Sequence, residues 1–229
     1  TILIRRMNQI DRGHIDYKSE VLRKSIHLCS LSIPVIYYFI TKEAALGILI
    51  PLAVFSLIID LARYKKNTKL NQYFHALFGF MLREHEKDHN KKNLNGATYV
   101  LLSAVIVILI FPKVLVVTAF AVLIVGDIAA ALIGRKFGKT KFLDKSLQGT
   151  LAFFFFSCIV VFLTPKVNGN YEEYLIGIVA VAIGAIAENV SSRFADDNLV
   201  IPISVSLAML LMYHFLLPDM ALVLANVPN

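Results

Sequence analysis

The chain is 229 residues long, 57% of its residues are hydrophobic, and its mean hydropathy is +0.68. Soluble domains contain about 45–50% apolar residues, so this composition excludes an ordinary soluble domain and favours one integral membrane domain over residues 1–229. The formal net charge is +7. Most basic residues flank apolar stretches, so membrane topology and lipid headgroups explain the excess, and a nucleic-acid partner is not expected.

Apolar stretches along the chain predict about seven transmembrane helices, and therefore an all-α, polytopic membrane helix bundle. A helical span needs roughly 17–25 mostly apolar residues. The third stretch is short by this measure. The stretches lie at about 25–40, 44–61, 97–111, 114–134, 147–164, 173–190 and 201–217.

The basic residues of the connecting segments predict how the bundle is oriented. If the N-terminus is cytoplasmic, the inner segments hold every Lys and Arg except Lys42, Lys113 and Lys166. Segments rich in Lys and Arg stay on the cytoplasmic side, so this alternation favours seven spans with the C-terminus outside. The inner segments are 1–24, 62–96, 135–146 and 191–200.

The long inner segment, 62–96, carries a helical pattern of its own. Between Leu70 and Leu82, apolar residues recur at three- and four-residue spacing, which predicts an amphipathic helix. Such a helix either lies in the headgroup layer or packs against the bundle, and the pattern fits both.

Ionisable residues gather at the cytoplasmic ends of the predicted spans. Charges inside or at the end of a span are costly unless paired or hydrated, so they are functional candidates. For a single Lys or Arg, a snorkelling interface charge is the commoner explanation. Snorkelling explains Asp127 less well, because this residue lies about 10–12 Å along a helix from Arg135 and is therefore farther from the interface. The candidates are Arg23, Lys24, His27, Asp60, Asp127, Glu188, Asp196 and Asp197.

The chemistry of these candidates favours a polyanion held with a divalent cation. Carboxylates ligate Mg²⁺, whereas Lys and Arg neutralise phosphate oxygens. The densest polar segment adds to this, because Asp127 shares a helical face with the small residues Ala130, Ala131 and Gly134. Small residues let a neighbouring backbone or a ligand approach closely.

The loop after this helix contains glycines and basic residues. Gly134 and Gly138 allow backbone amides to face phosphate oxygens. Ser146 is expected to cap the next helix, whose N-terminus would then point at an anion. The alternative is a packing helix followed by a basic inner loop, and the segment has no Walker A motif. The basic residues are Arg135, Lys139, Lys141 and Lys145.

In its order of motifs, the sequence resembles the CTP-dependent lipid kinases, namely dolichol kinase, phytol kinase and the CTP-type diacylglycerol kinases. The resemblance covers roughly residues 20–205, and the order and spacing of the motifs are more specific than any one motif. The motifs are Arg23-Lys24-x-x-His27, Arg83-x-x-Glu86, Gly96-Ala97-Thr98-Tyr99, Gly126-Asp127-x-Ala129-Ala130, Gly134-Arg135-x-x-Gly138-Lys139, Lys145-Ser146-x-x-Gly149-Thr150, Glu188, and Asp197-Asn198-Leu199-x-Ile201-Pro202.

This resemblance implies that the γ-phosphoryl group of CTP is transferred to a membrane lipid alcohol at the cytoplasmic face, with Mg²⁺ or another divalent cation. The alcohol is left open among polyprenols such as dolichol, phytol and diacylglycerol, and a homo-oligomer is compatible with the sequence. The implied catalytic residues are Asp127, Arg23, Lys24 and His27. The implied nucleotide contacts are Gly134, Arg135, Gly138, Lys139, Lys145, Ser146 and Gly149. The implied metal ligands are Asp127, Glu188 and Asp197, and the implied lipid-side or supporting residues are Arg83, Glu86 and Asn198.

Two roles stay open at this point. Asp127 suits either a metal ligand or a general base, and His27 is a second candidate for accepting the hydroxyl proton. The family usually has Glu where this chain has Gln148. If that acid binds metal in the family, then Glu188, Asp197 or Glu86 takes its place here, or activity is weaker.

Two rival functions are less consistent with the sequence. Phosphatidate cytidylyltransferases share a similar pattern and also use CTP, but they normally end with a Lys-Asp…Pro-Gly-His-Gly-Gly…Asp-Arg signature that is absent around residues 188–198. A seven-helix transporter would show charges near mid-membrane or two related halves. A retinal protein would need a Lys in the last span, and 201–217 has none.

Overall fold

The computed structural model describes residues 17–63, 94–191 and 195–228, and these residues are mostly helical. The predicted amphipathic helix, Arg83 and Glu86 lie outside the described residues. The elements are α1 (Tyr17–Cys29), α2 (Ser32–Phe39), α3 (Lys42–Arg63), α4 (Gly96–Ile110), α5 (Lys113–Phe137), β1 (Lys141–Phe142), β2 (Lys145–Ser146), α6 (Leu147–Leu163), α7 (Tyr171–Val190) and α8 (Asp197–Leu216).

Four of these helices, α3, α5, α7 and α8, are long and apolar enough to cross a membrane. The apolar helices α4 and α6 have 15 and 17 residues. At 1.5 Å per residue they are roughly 22 and 25 Å long, shorter than a hydrocarbon core of about 30 Å. The helical class is thus confirmed, while the seven spans and their orientation stay predictions.

The first predicted span is not one helix. Residues 25–40 are divided between α1 and α2, and the chain turns at Ser30 and Leu31. The backbone N–H of Ser30 donates to the carbonyl of His27 at 2.9 Å, as in a tight turn. Pro34 favours the break, because in a continuous helix its ring would clash with the carbonyl of Ser30, although α3 and α8 keep Pro51 and Pro202 in their interiors. A continuous helix over 25–40 is therefore wrong.

Helix α5 is the centre of the bundle. It packs most extensively against α6 and also contacts α1, α2 and α8. Its side chains Phe120, Leu123 and Ile124 are fully buried. By contrast, Phe55 on α3 is 63% exposed, as expected for an apolar side chain in contact with equally apolar lipid tails.

A close approach of α5 and α6 sets the geometry of the site. A Cβ at Gly126 would lie 2.5 Å from Ser157 Oγ and 2.8 Å from a ring carbon of Phe153. Only glycine fits here, because the side chains of Ser157 and Phe153 on α6 pack directly against the backbone of α5. The next residue in the chain is Asp127.

Candidate functional site

Three buried carboxylates from three different helices meet beside the centre of the bundle. Asp127 on α5, Glu188 on α7 and Asp197 on α8 each offer an oxygen, and these oxygens lie within 4.8 Å of one another. These are the residues that the sequence predicted as metal ligands. We call them the carboxylate cluster.

The carboxylate cluster fits a small divalent cation. Carboxylate oxygens are the preferred protein ligands of Mg²⁺, and two oxygens on opposite sides of that ion lie about 4.2 Å apart. The Oε2 atom of Glu188 is buried and has no hydrogen-bond partner among the described residues. Since a buried polar atom without a partner is costly, this oxygen indicates a binding capacity that the protein's own described groups do not use.

Two lysines contact the carboxylate cluster. The Lys24 ammonium on α1 forms an ion pair with Asp127, and both side chains are almost fully buried. The Lys145 ammonium on β2 pairs with Glu188 and lies 3.8 Å from Asp197. The sequence predicted both lysines as site residues, and the structure brings both to the same carboxylates.

Lys145 is held in its charged form by these contacts. Burial alone would lower its pKa, but the negative charges of Glu188 and Asp197 and the hydrogen bond to Glu188 outweigh burial and raise the pKa. Lys145 is therefore a cation at neutral pH.

His27, three residues after Lys24 on α1, approaches the same oxygen of Asp127. Its Nε2 atom is 3.4 Å from Asp127 Oδ2. The same nitrogen is buried and makes no hydrogen bond within the described part of the chain. His27, which the sequence left open as a proton acceptor, thus lies next to Asp127.

A fourth buried carboxylate, Glu20, holds two arginines. Its oxygens accept hydrogen bonds from Arg23 at 2.6 Å and 3.3 Å, and Arg135 Nη2 lies 3.2 Å from Oε2. Burial would raise the Glu20 pKa, but the hydrogen bond and charge of Arg23, with the charges of Lys24 and Arg135, lower it to about 2. The side chains of Arg23 and Arg135 are 17% and 13% exposed.

Glu20 was missed in the sequence. The only local signal was its position three residues before Arg23, where an ion pair on one helix face is expected. Its second partner, Arg135, belongs to α5 and is distant in sequence. The pair of arginines on one carboxylate forms a cationic surface suited to phosphate oxygens.

The β1–β2 hairpin that carries Lys145 is fastened to α7 by Asn189. The side-chain oxygen of Asn189 accepts hydrogen bonds from the backbone N–H groups of Asp144, at 2.9 Å, and Lys145, at 3.2 Å. Its amide nitrogen donates to Thr150 Oγ1 at 2.6 Å. Asn189 is fully buried, and no local sequence pattern indicates this role because its partners lie elsewhere in the chain.

The predicted cap of α6 is confirmed. Ser146 Oγ accepts a hydrogen bond from the backbone N–H of Gly149 at 3.2 Å. The amide of Gly138 donates to the carbonyl of Gly134 at 2.8 Å and closes α5. That amide is thus engaged in the helix end, whereas the sequence had suggested a phosphate contact.

The remaining residues predicted from the sequence have positions and contacts of their own. Lys139 and Lys141 are exposed on the loop and hairpin. Asp60 accepts hydrogen bonds from Asn95 and Thr98 and thereby stabilises the start of α4. The Asn198 amide nitrogen donates to Asp196 at 2.7 Å, which organises the first turn of α8 next to Asp197.

Comparison with known proteins gives two relatives. A CTP-dependent diacylglycerol kinase of Schizosaccharomyces pombe is 30% identical over 146 residues, which span 58% of this chain and 65% of the kinase. An uncharacterized protein of Rickettsia prowazekii is 29% identical over 195 residues, which span 84% of this chain and 94% of that protein. No protein-family profile and no solved structure matches the chain.

Proposed function

We propose that this protein is a CTP-dependent lipid kinase, a single integral membrane domain of seven spans whose active site opens to the cytoplasm. The observation that carries the proposal is the carboxylate cluster of Asp127, Glu188 and Asp197, flanked by Lys24 and Lys145. Phosphoryl transfer needs positioning and charge neutralisation more than covalent chemistry, and this arrangement supplies both. The similarity to a CTP-dependent diacylglycerol kinase supports CTP as donor and a lipid as acceptor.

The carboxylate cluster would hold Mg²⁺, which would neutralise charge on the CTP phosphates when bound. Arg23 and Arg135 would contact the phosphate oxygens from the side held by Glu20. The basic loop residues Lys139 and Lys141 are exposed, and would attract the nucleotide from solution.

The proposed reaction transfers the γ-phosphoryl group of CTP to the lipid hydroxyl. The lipid hydroxyl oxygen bonds to the γ-phosphorus, the bond from that phosphorus to the β–γ bridging oxygen breaks, and CDP leaves. The hydroxyl proton passes to a nearby base. His27 Nε2, 3.4 Å from Asp127 and without a hydrogen-bond partner among the described residues, would accept this proton, and Asp127 is the other candidate.

A transfer assay tests the proposal. Purified protein in detergent or nanodiscs is given CTP or ATP labelled in the γ-phosphate, together with diacylglycerol, phytol or a polyprenol. We expect label in a lipid phosphate, CDP as the second product, and a preference for CTP. Release of pyrophosphate with formation of a CDP-lipid would identify a cytidylyltransferase instead, and no transfer from CTP to any lipid alcohol would refute the kinase proposal.

The Asp127→Asn variant tests the assigned site in the same assay. The variant keeps the size of the side chain but loses the charge, so we expect turnover to fall about a hundredfold or more. Asp219→Asn is the matched control, because Asp219 is exposed beyond the far end of α8. Thermal unfolding of both variants establishes that they fold. Wild-type turnover in Asp127→Asn would contradict the assigned site.

A further inference from the structure

The contacts of Lys24 and Lys145 use the same carboxylates that a divalent cation would need. Lys24 is paired with Asp127, and Lys145 with Glu188 and, more loosely, Asp197. An ammonium group and a metal ion repel each other over such short distances, and both depend on the negative charge of the same carboxylates. Lysine contact therefore weakens cation binding at this cluster.

We propose that Lys24 and Lys145 compete with the divalent cation for the carboxylate cluster, and that a polyphosphate relieves the competition by drawing the two ammonium groups away. This inference rests on the proposed function, because it concerns the order in which that site is filled. It predicts that the cation alone binds weakly and that binding becomes tight when the phosphates of the nucleotide are present.

The charges make this exchange feasible. Two lysine ammonium groups carry the same total charge as one divalent cation, so the buried carboxylates stay neutralised when one replaces the other. The flexible four-carbon stem of lysine lets the ammonium move to a phosphate while its backbone stays in place. The Oε2 atom of Glu188, which has no hydrogen-bond partner among the described residues, is a ready additional ligand.

The arginines of the site are held differently. Arg23 and Arg135 contact Glu20, which is not part of the carboxylate cluster, and so neither needs to move when a cation binds. Lys145 is the more accessible of the two lysines, since 27% of its side chain is exposed against 2% for Lys24. A cation that enters from the aqueous side would first meet Lys145.

Binding of Mn²⁺, used in place of Mg²⁺, tests the competition without any nucleotide. Equilibrium dialysis of radioactive Mn²⁺ against the full chain in detergent micelles gives its dissociation constant. We expect Lys145→Met and Lys24→Met each to bind Mn²⁺ about tenfold more tightly than the wild type. Lys136→Met is the control, because Lys136 is exposed and also lies on the basic inner segment. Unchanged affinity in both lysine variants would overturn the inference.

A double variant shows whether the gain arises at the carboxylate cluster. In Lys145→Met/Glu188→Gln the competitor and one ligand are both removed, so the gain in Mn²⁺ affinity should disappear. A gain that persists in the double variant would place the cation elsewhere and overturn the inference.

Either lysine variant could unfold, because it leaves a buried carboxylate without its cation. Thermal unfolding with and without Mn²⁺ covers this case. A variant that folds only with Mn²⁺ supports the competition, since the ion then replaces the missing ammonium, whereas an unfolded variant that Mn²⁺ does not rescue counts against it. If the wild type transfers phosphate from CTP but the lysine variants bind Mn²⁺ with unchanged affinity, only this inference is refuted. Tighter Mn²⁺ binding without any transfer would refute only the proposed function.

Discussion

The side-chain oxygen of Gln148 accepts a hydrogen bond from the backbone N–H of Lys139 at 3.0 Å. The same oxygen accepts a second hydrogen bond from the N–H of Thr140 at 3.2 Å. Gln148 on α6 therefore fastens the loop between α5 and the hairpin. The family resemblance placed Glu at this position, and a carboxylate oxygen would accept the same two hydrogen bonds.

Substitutions at Gln148 separate loop fastening from metal binding. We expect Gln148→Glu to keep wild-type stability and turnover, since both acceptor contacts survive. Gln148→Leu loses both hydrogen bonds, and because the site is partly exposed we expect a cost of only about 1 kcal/mol together with a higher KM for CTP. Initial rates against CTP concentration and thermal unfolding check this. A large gain of turnover in Gln148→Glu would instead indicate that an acid here ligates the metal.

Glu20 predicts a pH dependence of stability. Its pKa is lowered from an ordinary value of 4.5 to about 2 in the folded protein, so its contribution is fully present above about pH 4.5 and is lost as the pH falls towards 2. That shift corresponds to about 3 kcal/mol. Glu20→Gln should therefore lower the free energy of unfolding clearly at pH 7 and much less near pH 3.

Two further measurements complete the Glu20 experiment. Because Arg23 and Arg135 lose their shared carboxylate, Glu20→Gln should also raise the KM for CTP. Glu43→Gln is the matched control, since Glu43 is exposed in the first turn of α3, and it should change neither quantity. A stability loss that is the same at both pH values would show that Glu20 acts through packing and not through its charge.

The sequence predicted the carboxylate cluster better than it predicted the groups that hold it. Asp127, Glu188 and Asp197 stand out locally because each is an acid within or beside an apolar stretch. Glu20 and Asn189 act through partners far away in the chain, and periodicity and capping patterns carry no information on such contacts.

The helices were also predicted unevenly from the sequence. Apolar length located α3, α5, α7 and α8 to within a few residues, because burial and lipid contact both demand apolar side chains. The break between α1 and α2 was missed, although Pro34 is visible in the sequence. A proline disrupts the interior of a helix but is tolerated near its start, so the sequence fits either one interrupted span or two separate helices. The turn at Ser30 shows that two helices form.

Asn189 should matter mainly for stability. Asn189→Ala removes three hydrogen bonds at a fully buried position and leaves two backbone N–H groups without their acceptor. We expect a loss of about 3 kcal/mol in the free energy of unfolding. Asn168→Ala, an exposed position at the opposite end of the bundle, is the control and should unfold like the wild type. Equal unfolding of the two variants would contradict the fastening role assigned to Asn189.

Gly138 marks the tightest contact of the loop. A Cβ added there would lie 2.2 Å from the backbone oxygen of Gly134 and 2.9 Å from Ser146 Oγ. The backbone of Gly138 has an ordinary φ of −61°, so the requirement for glycine is one of space. Gly134 O also accepts the hydrogen bond that closes α5, which means that an added methyl group would disturb the end of this helix and the Ser146 cap together.

Gly138→Ala should therefore destabilise the protein by about 2–3 kcal/mol, the usual range for overpacking against atoms that cannot move freely. The shifted loop should also raise the KM for CTP, because it carries Lys139. Gly47→Ala provides the control, since nothing lies within 4 Å of its added Cβ and alanine suits a helix interior better than glycine. We expect its thermal unfolding midpoint to be unchanged or slightly higher. If Gly138→Ala unfolds at the same temperature as Gly47→Ala and binds CTP equally well, the close packing of the loop on α5 and α6 does not govern the nucleotide side of the site.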